Sequence, residues 1–335
     1  MLDIASLAGI AFIFIVTFLV TFLATPIIAN AMKHRGITGK DVHKRSKPEV
    51  PEMCGLAILL GLTIGTAAYM ILFPNSIRVG AAFVGTVLVA GAIGFVDDLR
   101  PLGARIKPVL TAAACLPILI LRPYNPFPII PLVGRASLTV VYPFLIPLAI
   151  AVTSNGVNMM DVMNGSMAGT VGIITIAVIV VLLASGEMTT ASLAAGLLAA
   201  MLAFYYYNRF PAKVFSGDTG SLAVGAALGA LSIIGKIETV MIIALIPHIM
   251  NAFYGLSSVG GLYERREIRE RPTKLLRNGT IEASATRGAP VTLARLILAA
   301  GPLGEREVVR GMMFLTIVSS LLAILTYWVT LAGKI

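Results

Sequence analysis

Residues 154–169, SNGVNMMDVMNGSMAG, lie between two long apolar segments of the chain. Within this stretch an amide or a carboxylate recurs at every third position, as Asn155, Asn158, Asp161 and Asn164. On a helix or a tight turn, side chains three residues apart are neighbours on one face. The spacing therefore places these four side chains on one face as a polar stripe. Such a stripe is suited to binding a hard cation together with a ligand that has amide-like edges. A hydrophilic loop between two membrane spans is the alternative interpretation.

The composition predicts a membrane protein. Of the 335 residues, 57% are hydrophobic and only 13% are charged, and the mean hydropathy is +0.91. These values exclude a soluble globular protein of ordinary composition. The first apolar run has no basic residue before it and is too long for a signal peptide. We therefore expect it to remain in the mature protein as the first membrane helix.

Apolar runs along the chain predict about ten transmembrane helices, because a span needs about 20 residues to cross roughly 30 Å of hydrocarbon. The runs, several of them short, lie at residues 7–28, 53–73, 77–96, 108–121, 138–152, 167–184, 189–207, 221–235, 239–260 and 311–331. Pro117, Pro143, Pro147 and Pro247 are expected to kink or interrupt their helices. The predicted fold is an all-α polytopic membrane protein with a single integral-membrane domain, residues 1–335.

The basic residues predict how these helices are oriented. Of the 26 Lys and Arg residues, only five lie outside the odd-numbered connections. Those connections are residues 30–52, 97–107, 154–166, 208–218 and 261–310. By the positive-inside rule they face the cytoplasm and both termini lie outside. All the candidate chemical groups then share the cytoplasmic face.

The cysteines and histidines of the sequence do not predict a metal site. Cys54 and Cys115 each lie in or beside an apolar run, which indicates packing residues rather than a disulfide or a zinc site. His34, His43 and His248 are isolated in sequence, and none makes a metal-ligand spacing. We interpret His248, inside an apolar run, as a core histidine.

A pair of carboxylates, Asp97 and Asp98, ends one apolar helix, and Lys107 follows ten residues after the first of them. Ionisable groups at a membrane boundary are functional candidates by default. Adjacent carboxylates repel, which raises the pKa of one of them unless a cation or a lysine lies between them. The alternative is a solvated helix end with Arg100 and Arg105 as interface anchors.

The stretch VFSGDTGSLAVG, residues 214–225, begins the eighth predicted span. One interpretation is that Asp218 is only the N-cap of this helix, a position for which Asp is well suited. At such a helix end, free backbone N–H groups and the positive end of the helix dipole favour anions such as phosphate. Phe215 lies three residues before Asp218, close enough for its ring to stack on a base beside a metal-bound phosphate.

Two basic stretches are candidates for phosphate binding. Lys44 belongs to the connection 30–52, which ends at Glu52. The lysines of this connection are interpreted either as ligands of a phosphate or as a basic patch that attracts anionic lipid. Arg269 and Arg271 belong to the stretch YERREIRERPTKLLR. Arginine forks bind diphosphates in bidentate geometry, and the same density of charge suits a segment that faces lipid headgroups.

Together these motifs resemble those of the polyprenyl-phosphate N-acetylhexosamine-1-phosphate transferases. This family of ten-span membrane enzymes includes dolichyl-phosphate GlcNAc-1-phosphate transferase and bacterial phospho-MurNAc-pentapeptide transferase. Four motifs match in order and spacing between residues 39 and about 225. They are GKDVHK…PEMCGL at 39–56, the pair Asp97-Asp98 with Lys107, the stretch 155–165 and the stretch 215–221.

The resemblance implies a magnesium site, with Mn²⁺ as an alternative ion, whose ligands are Asn158 and Asp218. It implies catalytic roles for Asp97 and Asp98, near the metal and the lipid phosphate, and for Lys107, which contacts the phosphates. The implied substrate-binding residues are Lys44, Glu52, Asn155, Asp161, Asn164, Phe215, Arg269 and Arg271. Among these, Phe215 stacks on the uracil and Asn164 forms hydrogen bonds with it.

The implied reaction moves N-acetylglucosamine-1-phosphate, or another N-acetylhexosamine-1-phosphate, from a UDP-sugar to a polyprenyl or dolichyl phosphate and releases UMP. This is the first membrane step of N-glycan or cell-envelope assembly. The expected partners are the UDP-N-acetylhexosamine, the polyprenyl or dolichyl phosphate, the lipid bilayer and a second copy in a homodimer, and no nucleic acid. We expect a multi-pass membrane protein, in the plasma membrane of a prokaryote, with its active site facing the cytoplasm.

The chain departs from the family pattern at two places. Val162 replaces the glycine that follows Asp161, and connection 261–310 contains no histidine, whereas the bacterial members have a histidine cluster there. The missing cluster argues against phospho-MurNAc-pentapeptide transferase and favours the dolichol branch, in an archaeal or eukaryotic type of protein. Two other classes are a prenyl-transferring membrane enzyme, which requires paired Asp-rich motifs, and a transporter with a polar site facing the cytoplasm. Transporter sites lie at mid-depth, while these polar groups lie at helix ends.

Overall fold

The computed structural model describes residues 4–131, 134–261 and 270–332. Over these residues the chain is mostly helical, as predicted. The helices are α1 Ile4–His34, α2 Leu56–Leu72, α3 Ile77–Leu99, α4 Ile106–Ala113, α5 Leu116–Leu121, α6 Tyr142–Met160, α7 Ser166–Ser185, α8 Met188–Asn208, α9 Gly217–Ile234, α10 Glu238–Ala244, α11 Ile246–Val259, α12 Leu293–Ile297 and α13 Glu305–Ala332.

Three short antiparallel hairpins, which the sequence analysis does not predict, interrupt the helices. Their strands pair as β1 Thr38–Lys40 with β2 Glu49–Pro51, β3 Ile129–Ile130 with β4 Gly134–Arg135, and β5 Thr273–Leu275 with β6 Ile281–Ala283. The first hairpin lies in connection 30–52 and the third in connection 261–310. Two of the cytoplasmic connections in the predicted topology are therefore ordered by backbone pairing.

Seven of the described helices are long and apolar enough to cross a membrane: α1, α3 with the turn before it, α6, α7, α8, α9 and α13. The pair α10 and α11 makes an eighth if it is one span bent by 63°. Shorter apolar helices fill Leu56–Leu72 and Ile106–Leu121. The chain is thus a multi-pass membrane protein. All ten predicted runs fall on helices or helix pairs, and the count of ten spans stays a prediction.

Proline acts in three different ways in these helices. Pro117 and Pro247 lie in the first turns of α5 and α11, and each follows a helix break, as predicted. Pro143 lies in the first turn of α6, where the missing N–H costs nothing. Pro147 lies inside α6, which continues through it to Met160.

Helix α9 is the centre of the bundle, since residues 219–234 are all buried. Its neighbours approach it at glycines, the usual device where two membrane helices pack with backbones in contact. A Cβ atom built on Gly55, before α2, would lie 2.2 Å from the Cα of Gly220, and one on Gly94 of α3 would lie 2.3 Å from the backbone oxygen of Asp218. These contacts fix where α9 begins and hence where Asp218 is placed.

We predict that Gly94→Ala lowers the melting temperature of the detergent-solubilised protein. The added methyl group would meet backbone atoms of Asp218 and Thr219 that cannot move independently. Overpacking of this kind costs about 1–3 kcal/mol, which outweighs the gain of up to about 1 kcal/mol from replacing a helical glycine. Thermal unfolding of the purified variant measures the effect.

Gly172→Ala in α7 is the matched control, because the nearest atom to its added Cβ lies 4.0 Å away. We expect this variant to melt at or above the wild-type temperature. Equal melting temperatures for the two variants would contradict the close packing of α3 against α9.

Candidate active site

Four predicted site residues meet at one end of the helices. Asp97 lies near the end of α3, Lys107 at the start of α4, Asn158 near the end of α6 and Asp218 in the first turn of α9. The Nζ of Lys107 lies 2.5 Å from Oδ2 of Asp97 and 2.7 Å from Oδ2 of Asp218. One ammonium group therefore joins two carboxylates that are far apart in sequence.

Asn158 completes this cluster from the side of α6. Its Nδ2 donates to Oδ1 of Asp218 and, at 2.8 Å, to Oγ of Ser221. One turn earlier, Nδ2 of Asn155 donates to Oγ1 of Thr111 in α4 at 2.8 Å. The predicted polar stripe thus holds for these two amides, which tie α6 to α9 and α4.

The other two members of the stripe leave the helix. Helix α6 ends at Met160, so Asp161 and Asn164 lie in the connection to α7. Asp161 accepts a hydrogen bond from Oγ of Ser216, beside the start of α9. Burial raises the pKa of Asp161 to about 6, and the hydrogen bond from Ser216 opposes that rise. The nearby Asp218 and Glu52 raise this pKa further.

Asp98 lies next to Asp97 but points to a different partner. Its carboxylate accepts hydrogen bonds from the backbone N–H groups of Asp218, at 2.7 Å, and Thr219, at 2.9 Å. The hydroxyl of Thr219 donates to it as well, at 2.5 Å. Asp98 thereby satisfies two of the four N–H groups that have no partner within the helix at its start. The expectation that these N–H groups bind phosphate is wrong for two of them, because a carboxylate from α3 occupies them.

Phe215 is held against the first hairpin. Its N–H donates to the backbone oxygen of Pro51 at 2.8 Å, and its own oxygen accepts from the N–H of Cys54 at 2.9 Å. A Cβ atom on Gly39 would lie 3.1 Å from the Phe215 ring and 3.2 Å from a side-chain oxygen of Glu52. The predicted motifs at 39–56 and 215–221 are therefore in contact, with Glu52 beside the ring.

Asn164 is buried and held by carboxylates from two distant segments. Its backbone N–H donates to Oε1 of Glu305 at 2.8 Å, and its Nδ2 donates to Oδ2 of Asp41 at 3.0 Å. Asp41 also forms an ion pair with Lys44. The predicted phosphate ligand Lys44 is thus engaged with a carboxylate next to Asn164.

A cavity of about 550 Å³ opens beside Asn164. Its basic side chains are Arg209, Lys213, Arg306 and Arg310, and its aromatic side chains are Tyr205, Tyr206 and Phe210. No acidic residue is among the described residues that line it. The surface next to Asn164 is therefore suited to an anion.

Several residues of the site are not predicted from the sequence, and the structure leaves the roles predicted for Arg269 and Arg271 as predictions. Arg269 lies outside the described residues. Arg271 is exposed and forms no ion pair within the described part of the chain. Ser216, Thr219 and Ser221 lie inside a motif already singled out, so the motif itself could have drawn attention to them. Thr111 and Glu305 carry no comparable local signal.

The donor set fits a hard divalent cation. Asp97 and Asp218 already converge on one cationic centre, the Lys107 ammonium, and the Nδ2 contacts of Asn158 leave its amide oxygen as a further donor. Carboxylate and amide oxygens are the ligands that Mg²⁺ accepts in proteins. The side chain of Asp218 is 31% exposed, against 6% for Asp97. Asp218 is therefore the carboxylate that a ligand from solvent reaches first.

Comparison with known proteins places the chain in a family. The profile for glycosyl transferase family 4 matches residues 80–236, which contain Asp97, Lys107, Asn158 and Asp218. A putative glycosyltransferase of Methanocaldococcus jannaschii is 30% identical over 311 residues, which are 92% of this chain and 94% of that protein.

Two further relatives carry more specific names. A putative UDP-N-acetylglucosamine–dolichyl-phosphate N-acetylglucosaminephosphotransferase of Sulfolobus acidocaldarius is 29% identical over 255 residues, 73% of this chain and 77% of that protein. A phospho-N-acetylmuramoyl-pentapeptide-transferase of Desulforamulus reducens is 26% identical over 344 residues, 95% of this chain and 97% of that protein. The chain therefore belongs to glycosyl transferase family 4, and the membership that its motifs predict is confirmed.

Proposed function

We propose that this protein transfers N-acetylglucosamine-1-phosphate from UDP-GlcNAc to a polyprenyl or dolichyl phosphate and releases UMP. The observation that carries the proposal is the junction of Asp97, Lys107, Asn158 and Asp218 at one end of the helices. Family membership and the names of the relatives support the same reaction.

The position of the site suits substrates from two phases. A nucleotide sugar is soluble in water, while the acceptor phosphate carries a tail that stays in the bilayer. The two can meet only at the membrane surface, and helix ends lie there. The basic residues of the same connections support a cytoplasmic orientation, with ten spans in which the short helices also cross.

The proposed chemistry is an in-line displacement at phosphorus. An oxygen of the lipid phosphate attacks the β-phosphorus of the UDP-sugar, the bond from that phosphorus to the bridging oxygen breaks, and UMP leaves with that oxygen. Lys107 binds phosphate oxygens with an ammonium that Asp97 and Asp218 hold in place. Positioning of two bound reactants supplies much of the rate enhancement in such a reaction.

Of the two adjacent carboxylates, the structure favours Asp97 as the proton acceptor. The carboxylate of Asp98 accepts three hydrogen bonds from the start of α9, so we assign it the positioning of that helix. Asp97 is joined to Lys107 and accepts a proton from the lipid phosphate where that group arrives as its monoanion. The second pKa of a phosphate monoester is about 6, so both forms exist near neutral pH.

Asn158 and Asp218 would hold the magnesium ion, or manganese in its place. When bound, such an ion neutralises the charge that develops on the diphosphate as UMP leaves. Both residues keep a defined orientation through each other and through Ser221. Both oxygens of Asp218 are engaged, Oδ1 by Asn158 and Oδ2 by Lys107, so a bound cation would replace one of these contacts.

The uridine lies, in this proposal, between Phe215 and Asn164. The ring of Phe215 stacks on uracil. Because Nδ2 of Asn164 donates to Asp41, its Oδ1 is the atom that accepts from the N3–H of uracil. Lys44, Glu52, Asn155, Asp161, Arg269 and Arg271 complete the proposed substrate-binding set.

The main alternative is transfer of phospho-MurNAc-pentapeptide, the reaction for which the Desulforamulus reducens relative is named. The absence of histidine from connection 261–310 favours the GlcNAc reaction for this chain. A parallel assay with UDP-MurNAc-pentapeptide separates the two. A homodimer stays a prediction.

The transfer reaction gives the first functional prediction. Purified protein with radiolabelled UDP-GlcNAc, Mg²⁺ and polyprenyl or dolichyl phosphate should yield lipid-linked label together with UMP. We expect Asp218→Ala and Asp97→Asn to lower the rate by about 100-fold or more, the scale found when one group that stabilises charge in a transition state is removed.

Glu187→Gln is the matched control. Glu187 pairs with Lys236 at the end of α7 that lies away from the site, so this variant should retain wild-type activity. Activity that survives both aspartate substitutions, or that persists in excess EDTA, would refute the metal site.

Asp98 and Thr219 give a prediction about helix positioning. Asp98→Asn places an NH₂ group against N–H donors, so we expect a loss of about 1.5–3 kcal/mol in the free energy of unfolding, the range for hydrogen bonds to charged groups. Thr219→Val removes only the hydroxyl donor and should cost about 1 kcal/mol. Denaturation of each variant in detergent measures the loss. Thr219→Ser keeps the hydroxyl and should resemble the wild type, whereas three equal values would contradict the assigned contacts.

Stacking by Phe215 predicts an effect on nucleotide binding. Phe215→Leu should raise KM for UDP-GlcNAc by about tenfold, since stacking of a base on an aromatic ring contributes about 1–3 kcal/mol. Steady-state kinetics with each substrate varied in turn tests this, and KM for the lipid phosphate should stay constant. Phe253→Leu, an exposed ring on α11, is the control. An unchanged KM for the nucleotide sugar would place the uracil elsewhere.

A further inference from the structure

Asp41, His43 and Glu305 form a compact cluster outside the catalytic group. A carboxylate oxygen from each acid and a ring nitrogen of the histidine lie within 4.8 Å of one another. Asp41 and His43 belong to the loop after β1, and Glu305 is the first residue of α13. The third side chain comes from the far end of the chain, which explains why the histidine shows no metal-ligand spacing in the sequence.

Glu305 has an oxygen with no partner. Its side chain is buried, with 5% of the residue exposed, and Oε1 accepts from the N–H of Asn164. Its Oε2 is buried and accepts no hydrogen bond from the described residues. A buried acceptor left without a partner costs about 1–3 kcal/mol, and more when it is charged. Such a group in a native protein calls for an explanation, and a bound ion is one.

The nearest described cation does not supply that partner. Lys44 forms its ion pair with Oδ2 of Asp41, and within the described residues Glu305 forms no ion pair with Lys or Arg. Two carboxylates thus face one imidazole and one ammonium, and one of the carboxylate oxygens has no donor. A divalent cation between the three side chains would balance both carboxylates.

We propose that Asp41, His43 and Glu305 bind a divalent transition-metal ion, for which Zn²⁺ is the best match. One imidazole nitrogen and two carboxylate oxygens are ligands that zinc takes at about 2.0–2.2 Å. The histidine ligand argues against magnesium or calcium as the bound ion, because both of these ions prefer oxygen ligands. Three protein ligands leave one position for water in a tetrahedral site. The site is separate from the proposed magnesium ligands Asn158 and Asp218.

The site also has a consequence for Asn164. Two of the three ligands, Asp41 and Glu305, accept hydrogen bonds from this residue at 3.0 and 2.8 Å. Groups bonded to metal ligands are held in fixed orientations through them. The ion would therefore tie the loop after β1 to the start of α13 and hold Asn164 between them. Only this last step rests on the proposed function, in which Asn164 contacts uracil.

Zinc binding by the full-length protein tests the proposal without any activity assay. Tag-free protein in detergent is treated with a chelator and then dialysed against micromolar Zn²⁺ with millimolar Mg²⁺ present to occupy the other site. Bound zinc is measured by mass spectrometry. We expect one Zn²⁺ per chain in the wild type and also in Asp218→Ala. His43→Ala and Glu305→Gln should bind zinc at least about tenfold more weakly.

His34→Ala removes an exposed histidine at the end of α1 and is the matched control, which should bind zinc like the wild type. Zinc should also raise the melting temperature of the wild type and of Asp218→Ala, but not that of His43→Ala. Glu305→Gln keeps the shape of the side chain. If His43→Ala fails to fold, the zinc content of Glu305→Gln tests the proposal instead. A wild type that binds no zinc, or equal binding by His34→Ala and His43→Ala, overturns the proposal.

Discussion

The backbone contact between α3 and α9 is the constraint on which the candidate active site depends. Gly94 lets the two helices approach until the start of α9 touches α3. Gly217 has a positive φ of 68°, and a Cβ atom there would lie 2.6 Å from Oδ2 of Asp98. The carboxylate of Asp98 then takes the first N–H groups of α9. Packing of α3 against α9 thus sets the position of Asp218, and the carboxylate of Asp218 makes the contacts with Lys107 and Asn158.

Ion pairing with Lys107 explains why two carboxylates are tolerated at the edge of a membrane. A buried carboxylate is costly unless it has a partner, and Lys107 serves both Asp97 and Asp218. The same ammonium would have to exchange one carboxylate for phosphate oxygens when a diphosphate enters. Since Asp218 is more exposed than Asp97, we expect its contact with Lys107 to be the one that changes. One ammonium against two carboxylates leaves a net negative charge, which suits a divalent cation, and Lys107 becomes available to phosphate oxygens when it leaves one carboxylate.

The sequence predicts the parts of the site that lie at helix ends, because a polar residue that interrupts an apolar run has few structural reasons to be there. Asp97, Lys107, Asn158 and Asp218 were all found in that way, and the structure joins them. The capping of α9 by Asp98 could not be predicted, since nothing local distinguishes it from Asp97. The cluster around Glu305 was missed for a related reason, as its members are far apart along the chain. Regular three-residue spacing also suggested one continuous stripe, although α6 ends before Asp161.

Residues in the C-terminal third of the chain also hold the end of α6 in place. Asn251 on α11 donates to the backbone oxygen of Met159 at 2.8 Å and accepts from the N–H of Leu293 at 2.8 Å. Met160 and Met163 are buried in an apolar cluster together with residues of α12 and α13. The end of α6 thus faces α9 on one side and these helices on the other. Because α6 ends at Met160, contacts with α9 on one side and with the C-terminal helices on the other determine the geometry of the polar stretch. A change in either set of contacts would move Asn158 relative to Asp218.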